Sequence, residues 1–306
     1  MLKKIRILVL GAGGFIGTNL VNKIIENENY FALQIAGLNV TKFVACKKID
    51  LFDGYITRDL LDKCSCPDVI YHIAGGSSVA LSVTDPEYDF NLTIPNINVL
   101  LNKIRADWPK CRLVYISSAA VYGLNASDSI SVNTLLSPMS PYGLHKQLAE
   151  QLIEYYSKMY ALSVVIVRPF SVYGEGLKKQ LFWDVLNKAQ RGDYSYFGTG
   201  EEKRDWIYVR DLVDLLLELG VRDFDSSLKI INAGTGHSVK IKDAIQRTLY
   251  LAGYQQSPRF SNSEKIGDPD DLVAAAKEQY EYLGFFKTNF DEGIVKYINW
   301  FKGLKK

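Results

Sequence analysis

Along the first 170 residues, short apolar runs rich in β-branched side chains alternate with stretches whose apolar positions recur at helical spacing. Ile5–Leu10 is the first such run, continuous enough to be buried on both faces of a parallel sheet, and a helix from Phe15 to Asn27 is expected behind it. Further strands are predicted within Leu33–Leu38, at Lys48–Asp53, from Val69 to Ile73, at Leu113–Ile116 and at Val164–Val167. Asp85-Pro86 opens a helical stretch through Ile104. Ser140-Pro141 opens another, with the serine as N-cap, the proline at the first helical position, and Leu144, Leu148 and Leu152 as the expected buried stripe. Strands and helices alternating in this way predict the α/β class, built on a doubly wound parallel sheet.

The first strand runs directly into Gly11-Ala12-Gly13-Gly14-Phe15-Ile16-Gly17. Glycines at 11, 14 and 17 would tighten the turn, let backbone N–H groups approach a pyrophosphate, and pack the helix on the strand. An ordinary glycine-rich turn is the alternative, but strand, glycines and helix in that order favour a Rossmann dinucleotide site. No carboxylate follows at the usual ribose-binding distance. Gly37-Leu38-Asn39-Val40-Thr41-Lys42 instead offers the Asn39 amide to a ribose hydroxyl, and Lys42, Lys47 and Lys48 to a 2′-phosphate. Both NAD and NADP stay open, with the balance toward NADPH.

After Gly174 the pattern changes to helices at Gln180–Gln190 and Asp211–Leu219, short strands near Tyr196 and Ile230, and terminal helices. Residues 1–170 are therefore expected to form the dinucleotide-binding domain, with 206–236 packing back on it, and 171–306 mainly a smaller C-terminal α/β substrate-binding lobe.

Composition removes several classes. With 306 residues, 47% of them hydrophobic, the chain can bury one large core or two smaller ones. Its 36 basic and 34 acidic side chains leave a charge of +2, which compels neither a nucleic-acid nor a membrane partner. No apolar segment reaches the roughly 20 residues that span a bilayer, and Gly11 ends the apolar start too early for a secretory signal. Cys46, Cys64, Cys66 and Cys111 lack metal-ligand or redox spacing, so they read as reduced thiols in the cytoplasm, with no metal site. His72, inside a strand, reads as a packed core residue.

Candidate chemistry centres on Tyr142-x-x-x-Lys146, which puts a phenol and an ammonium on one face of a helix start. A fixed cation would bring the phenol below its usual pKa of about 10, within reach of proton transfer. Taken alone the pentapeptide is common. Ser117-Ser118 adds two hydroxyls at the carboxyl end of a strand, the edge where ligands sit in such sheets.

The motifs in order, Gly11-x-x-Gly14-x-x-Gly17, Asp50-Leu51-Phe52-Asp53, His72-Ile73-Ala74, Ser117-Ser118-Ala119-Ala120-Val121-Tyr122-Gly123, Tyr142-x-x-x-Lys146 and Arg168-Pro169-Phe170-Ser171-Val172-Tyr173-Gly174, are joined by Arg204-Asp205-Trp206-Ile207-Tyr208-Val209-x-Asp211, Asn232-x-Gly234-x-Gly236 and Gly267-Asp268-Pro269 with Leu283-Gly284. Over nearly the whole chain they resemble the extended short-chain dehydrogenase/reductase family, specifically the enzymes that modify nucleoside-diphosphate sugars. The resemblance implies Tyr142 as acid/base, Lys146 as its partner and a ribose ligand, and Ser118 on the same sugar oxygen. It also implies a cofactor site of Gly11, Gly14, Phe15, Ile16, Gly17, Asn39, Asp50, Leu51, Ala74, Gly75 and Pro169, and a substrate side of Ser78, Ser171, Arg204 and Asp268. A nucleoside-diphosphate sugar is the implied partner. A homodimer is implied as well, through helices at Leu92–Leu101 and Leu148–Tyr160.

Departures from the family pattern narrow the reaction. Ala119 and Ala120 stand where dehydratases carry acids and epimerase/reductases a cysteine, leaving hydride exchange, chiefly at C4. Ser171 and Lys265 replace a frequent Asn and Arg. The missing ribose carboxylate and the short link to Asp50 favour a 4-keto-sugar reductase using exchangeable NADPH. The alternative is a 4-epimerase with retained NAD; a non-catalytic NADP-binding regulator is more remote, since Ser118, Tyr142 and Lys146 are all intact.

Overall fold

The structure, a computed structural model, describes residues 4–26, 31–44, 49–125, 127–263, 270–275, 282 and 287–304. Six strands come first: β1 (Ile5–Leu10), β2 (Phe31–Gly37), β3 (Ile49–Asp53), β4 (Val69–His72), β5 (Arg112–Ile116) and β6 (Ser163–Pro169). Shorter strands follow at β7 (Ser171–Tyr173), β8 (Ser195–Tyr196), β9 (Lys203–Tyr208), β10 (Leu228–Ala233), β11 (Ser238–Lys240), β12 (Arg259–Phe260) and β13 (Asp271–Leu272). A seven-stranded sheet in the order β10-β6-β5-β4-β1-β2-β3 forms the centre, and its paired strands are parallel throughout.

Both faces of that sheet are buried, as the continuous apolar runs require. Period-2 alternation sends Ile7 and Val9 to one face, against helices α1 (Phe15–Glu26) and, later in the chain, Val209–Val221. Leu8 and Leu10 point to the other, against a second layer of helices. The short helices α2 (Arg58–Asp62) and α3 (Val79–Thr84) lead into α4 (Pro86–Asp107) and α5 (Pro141–Tyr160), which supply that layer.

The remaining helices are α6 (Gln180–Gln190), α7 (Val209–Val221), α8 (Ile241–Ala252) and α9 (Phe290–Gly303). Helices α6 and α9 and strands β7 and β9 enclose an aromatic cluster of Tyr173, Phe182, Tyr208, Tyr297 and Phe301, separate from the main sheet. Here β9 is flanked by antiparallel β11 and by parallel β13 and β7, while β8 pairs with β12. The chain returns to the first layer system through α7 and through β10, which takes the sheet edge beside β6. Among the described residues no helix is long and apolar enough to cross a membrane.

The leucine stripe expected on α5 is not buried. Leu144 is 44% exposed, and Leu148 and Leu152 line a shallow depression with Ile94 and Gln151. The inward face carries Gly143, His145, Lys146, Ala149, Glu150, Ile153 and Ser157 instead. Close packing explains the choice: a Cβ on Gly143 would lie 2.6 Å from the Ala120 carbonyl oxygen. Polar residues on that face find buried partners. Arg168 Nη2 meets Glu150 Oε2 at 2.6 Å, Arg168 Nη1 donates to Tyr122 at 2.8 Å, and Tyr122 donates to Asn232 at 2.6 Å. This chain of bonds ties α5, β6 and β10 together at the carboxyl edge of the sheet.

His72 is buried in the core at the end of β4, with its ring edge on Tyr115. Burial first, and the nearby Lys146 charge second, push its pKa down to about 3. The unfolded chain takes up that proton near pH 6.5, so it binds more protons than the folded state between the two values and stability falls as pH is lowered through them. His72→Leu is expected to remove about 2 kcal/mol of the stability lost between pH 7 and pH 5. Urea unfolding at both pH values checks this; equal losses in variant and parent would refute it.

Candidate active site

The glycine turn is shaped by contacts on three sides. Gly11 has φ +87°, and a Cβ there would lie 2.5 Å from Ala74 N, in the turn leaving β4. A Cβ on Gly17 would fall 2.2 Å from Gly11 O, and one on Gly13 2.0 Å from Leu38 O. Gly14 is exposed and has room. Backbone N–H groups in the first turn of α1, at Phe15, Ile16 and Gly17, have no intrahelical acceptor and a favourable dipole for anions. The groove thus has the donors and the missing side chains that a pyrophosphate needs.

Asn39 follows β2 in the left-handed region, φ +60°, beside Gly13. Asp50 is exposed on β3, with Leu51 next to it. Ala74 and Gly75 leave the carboxyl end of β4, and Pro169 ends β6 opposite Ala233. Asn39, Ala74, Gly75 and Pro169 lie along the carboxyl edge of the parallel sheet, whereas Asp50 and Leu51 stand farther back on β3, opposite Gln34 and Ile35. Lys42, expected as a phosphate ligand, donates to Gly13 O at 3.0 Å and to Thr18 Oγ1 at 2.5 Å, bracing the glycine turn. Lys47, Lys48 and Cys46 lie outside the described residues.

Ser118, Tyr142 and Lys146 come together. Ser118 caps the short turn at Ala119–Val121, its Oγ accepting from Ala120 N at 3.1 Å, and its hydroxyl is near enough to the Tyr142 phenol to pull that group's pKa down. Ser140 caps α5 through Gly143 N, as expected, and Ser82 on α3 accepts the Tyr142 N–H at 3.0 Å. One turn along, Lys146 Nζ donates to Ile116 O at 3.0 Å and lies 5.2 Å from the Tyr115 ring and 5.9 Å from the Tyr142 ring. A Cβ on Gly75 would touch that ammonium at 3.4 Å.

The expectation that the cation lowers the phenol is overturned in sign. Burial raises the Tyr142 pKa; the Ser118 hydroxyl opposes this, and the Asp89 charge adds to it. Burial also brings Lys146 down to about 8, against the upward pull of Asp89 and Glu150. In this enclosed site desolvation outweighs the neighbouring positive charge.

Ala119 is buried and Ala120 half-buried, so no acid stands next to Ser118. Asp89 Oδ2 lies 2.7 Å from His145 Nδ1, and Glu150 is held by Arg168. Neither Asp89 nor His145 stood out in the sequence: one looks like a first-turn helix acid, the other like filler inside Tyr142-x-x-x-Lys146.

On the substrate side, Ser78 caps α3 through Leu81 N, and Ser171 starts β7 opposite Trp206. Arg204 is buried on β9, with Nη1 donating to the carbonyls of Lys203 and Asp270, an anchorage the sequence did not suggest. Asp268, Lys265, Gly267-Asp268-Pro269 and Leu283-Gly284 lie outside the described residues.

The model of the NAD dependent epimerase/dehydratase family matches residues 7–234. The UDP-glucose 4-epimerase of Azospirillum brasilense is 30% identical over 329 residues, covering 98% of this chain and 93% of its own length. Among solved structures, the UDP-glucose 4-epimerase of Thermotoga maritima, with UDP-glucose, has a TM-score of 0.88 at 25% identity, over 99% of this chain and 100% of that one. MoeE5, solved with UDP-glucose and NAD, has a TM-score of 0.86 at 25% identity, over 98% and 100%.

The two glycines at the turn separate packing from space. Gly17→Ala is expected to force backbone apart, costing about 1–3 kcal/mol and weakening dinucleotide binding at least tenfold. Gly14→Ala, whose Cβ would sit 3.4 Å from Gly11 O, should leave stability nearly unchanged while its methyl stands where the pyrophosphate approaches and weakens binding. Calorimetric titration with NAD and thermal melting of each variant test the contrast.

Proposed function

This chain belongs to the NAD dependent epimerase/dehydratase family, and we propose that it is a nucleoside-diphosphate-hexose 4-epimerase that oxidises and re-reduces its substrate with a retained NAD. The family is that of NAD-dependent sugar-nucleotide enzymes. The observation carrying the finer reading is the meeting of Ser118, Tyr142 and Lys146, where among the described residues the nearby carboxylates, Asp89 and Glu150, are held by His145 and Arg168. Such a site can move a proton at a carbinol oxygen but has no group to expel water. The reductase favoured from sequence gives way because UDP-glucose 4-epimerases are prominent among the similar proteins and because Lys42 is already engaged.

In the mechanism, Tyr142 accepts the proton of the sugar hydroxyl as the carbinol becomes a ketone, and returns it after the sugar has turned over. Ser118 donates to the same oxygen, so two donors stabilise developing negative charge there. Lys146 anchors the pair and is placed to hold the nicotinamide ribose, while Gly75, lacking a side chain, leaves the approach open. Bound NAD supplies the hydride acceptor and a positive charge that favours the phenolate. The first turn of α1 would hold the pyrophosphate, and Asn39, Asp50 and Leu51 the adenosine half. Ser78, Ser171, Arg204 and Asp268 are assigned to the sugar nucleotide on the lobe side.

We also assign a homodimer, with a second copy of this chain on the α4–α5 face. Leu144, Tyr155 and Met159 are 44%, 56% and 55% exposed there, on the same helix as Leu148 and Leu152, which line a depression with Ile94, an apolar stripe of the kind that marks interfaces. A cytoplasmic setting accords with the free thiols of Cys64, Cys66 and Cys111.

Incubated with UDP-glucose and a catalytic amount of NAD, the protein should form UDP-galactose with no net NADH. Stoichiometric NADPH oxidation by a 4-keto sugar nucleotide, without interconversion, would instead restore the reductase. Tyr142→Phe should cut turnover by about 10²–10⁴-fold with NAD affinity within twofold; comparable rates would reject the acid/base role. For the assembly, light scattering should give the mass of two chains, and Leu148→Glu with Tyr155→Glu the mass of one. A monomeric parent protein would remove the dimer.

A further inference from the structure

Behind the reactive pair lies a second couple of titratable side chains that the mechanism above does not use. Asp89, in the first turn of α4, is 3% exposed, and His145, in the first turn of α5, is 7% exposed. Asp89 Oδ2 meets His145 Nδ1 at 2.7 Å, and the Phe90 ring edge covers the imidazole at 5.4 Å. The other carboxylate oxygen reaches the turn after β4: a Cβ on Gly76 would fall 1.9 Å from Asp89 Oδ1. Thr93, one turn along α4, accepts the Gly76 N–H at 3.1 Å. Lys146 lies against Gly75 in the same turn. The Gly75-Gly76 backbone therefore runs with the Asp89 carboxylate and the Lys146 ammonium both against it, and side chains on either glycine would drive them away.

We propose that Asp89 and His145 are positioning residues for Tyr142 and Lys146: the imidazole orients the carboxylate, and the carboxylate sets the charge balance of the site. This rests on the roles assigned above to Tyr142 and Lys146. The charges facing the pair come from every element packed on it. Asp89 faces it from α4, Glu150 from α5, Tyr115 from β5 and His72 from β4. Glu150 is matched by the Arg168 guanidinium, and His72 is held neutral by burial. Among the described residues, the one close ionic contact of Asp89 is the His145 imidazole. Its negative charge favours the protonated form of both Tyr142 and Lys146. A simple strut between α4 and α5 would need the hydrogen bond but not the charge.

Two variants separate charge from strut. Asp89→Asn keeps the shape and an acceptor for the imidazole but removes the charge, whereas His145→Asn puts an amide nitrogen where Nδ1 stood and leaves the carboxylate charged. The readout is the titration of Lys146 in cofactor-free protein labelled with [13Cε]lysine, its resonance assigned by loss in Lys146→Met. The parent midpoint is expected at about 8, Asp89→Asn about half a pH unit lower or more, and His145→Asn not lower. The acid limb of the kcat profile should move down in Asp89→Asn as well, because Tyr142 then ionises more readily. If both variants lower the melting temperature and neither moves the Lys146 titration, the pair is only a strut and the inference fails. The titration needs neither substrate nor turnover. A shifted midpoint in a protein with no epimerase activity would uphold the inference while rejecting the proposed reaction.

Discussion

An ammonium kept in a nearly dry site is the constraint from which the rest of this architecture follows. Lys146 is 3% exposed, and burying an uncompensated charge costs several kcal/mol or more. The compensation is distributed: the Ile116 carbonyl accepts at 3.0 Å, the Tyr115 ring lies 5.2 Å away, and Asp89 and Glu150 contribute opposite charge. These supports come from the sheet edge and from two helices. None is effective unless α5 packs closely on its neighbours, which is why Gly143 rather than a larger residue faces Ala120. The polar inward face of α5 and the leucines left outside are thus two consequences of one requirement.

The same requirement explains what could and could not be read from the chain. Apolar runs such as Ile5–Leu10 and Leu113–Ile116 predict central parallel strands because a sheet covered on both faces excludes polar side chains, and both runs form strands there. Gly11 and Gly17 were legible for the same reason: backbone-to-backbone approach there leaves no other residue type. Helix α5 was legible as a helix, through Ser140 and Pro141, but not in orientation. Leucines at helical spacing predict a buried stripe only when the interior wants oil, and here it wants a cation and its counter-charges. The sign of the Tyr142 shift was hidden too, since it depends first on burial and then on Asp89, remote in sequence and brought in by α4.

Beyond Gly174 the reading is coarser because the lobe is held by contacts without sequence period. Asp205 is a case in point. Buried on β9, it accepts from Thr235 N, Gly236 N and Ala274 N, fixing the Asn232-x-Gly234-x-Gly236 turn. Close packing requires a glycine there as well, since a Cβ on Gly234 would lie 2.5 Å from the Asp205 carboxylate. The motif was visible, whereas its use as a structural clamp was not. Arg204, the next residue, gives part of its guanidinium to the carbonyls of Lys203 and Asp270. It is therefore fixed in place before any ligand arrives, and a preset guanidinium loses less entropy in binding phosphate than a free one.

The choice between an exchangeable and a retained cofactor turns on how the end of β2 is used. From sequence, a missing carboxylate and a lysine beyond Asn39 suggest a 2′-phosphate and hence an NADPH that comes and goes. In the structure that lysine folds back, bonding Gly13 O and Thr18 Oγ1, so its charge braces the pyrophosphate turn from outside. Freeing it for a 2′-phosphate would cost both bonds and loosen the turn whose glycines are already at contact distance. Asn39, held in the left-handed region beside Gly13, can still meet unmodified ribose hydroxyls with a neutral amide. A rigid turn with a neutral ribose contact suits NAD and slow exchange, as the proposed return of a hydride to the sugar it came from requires.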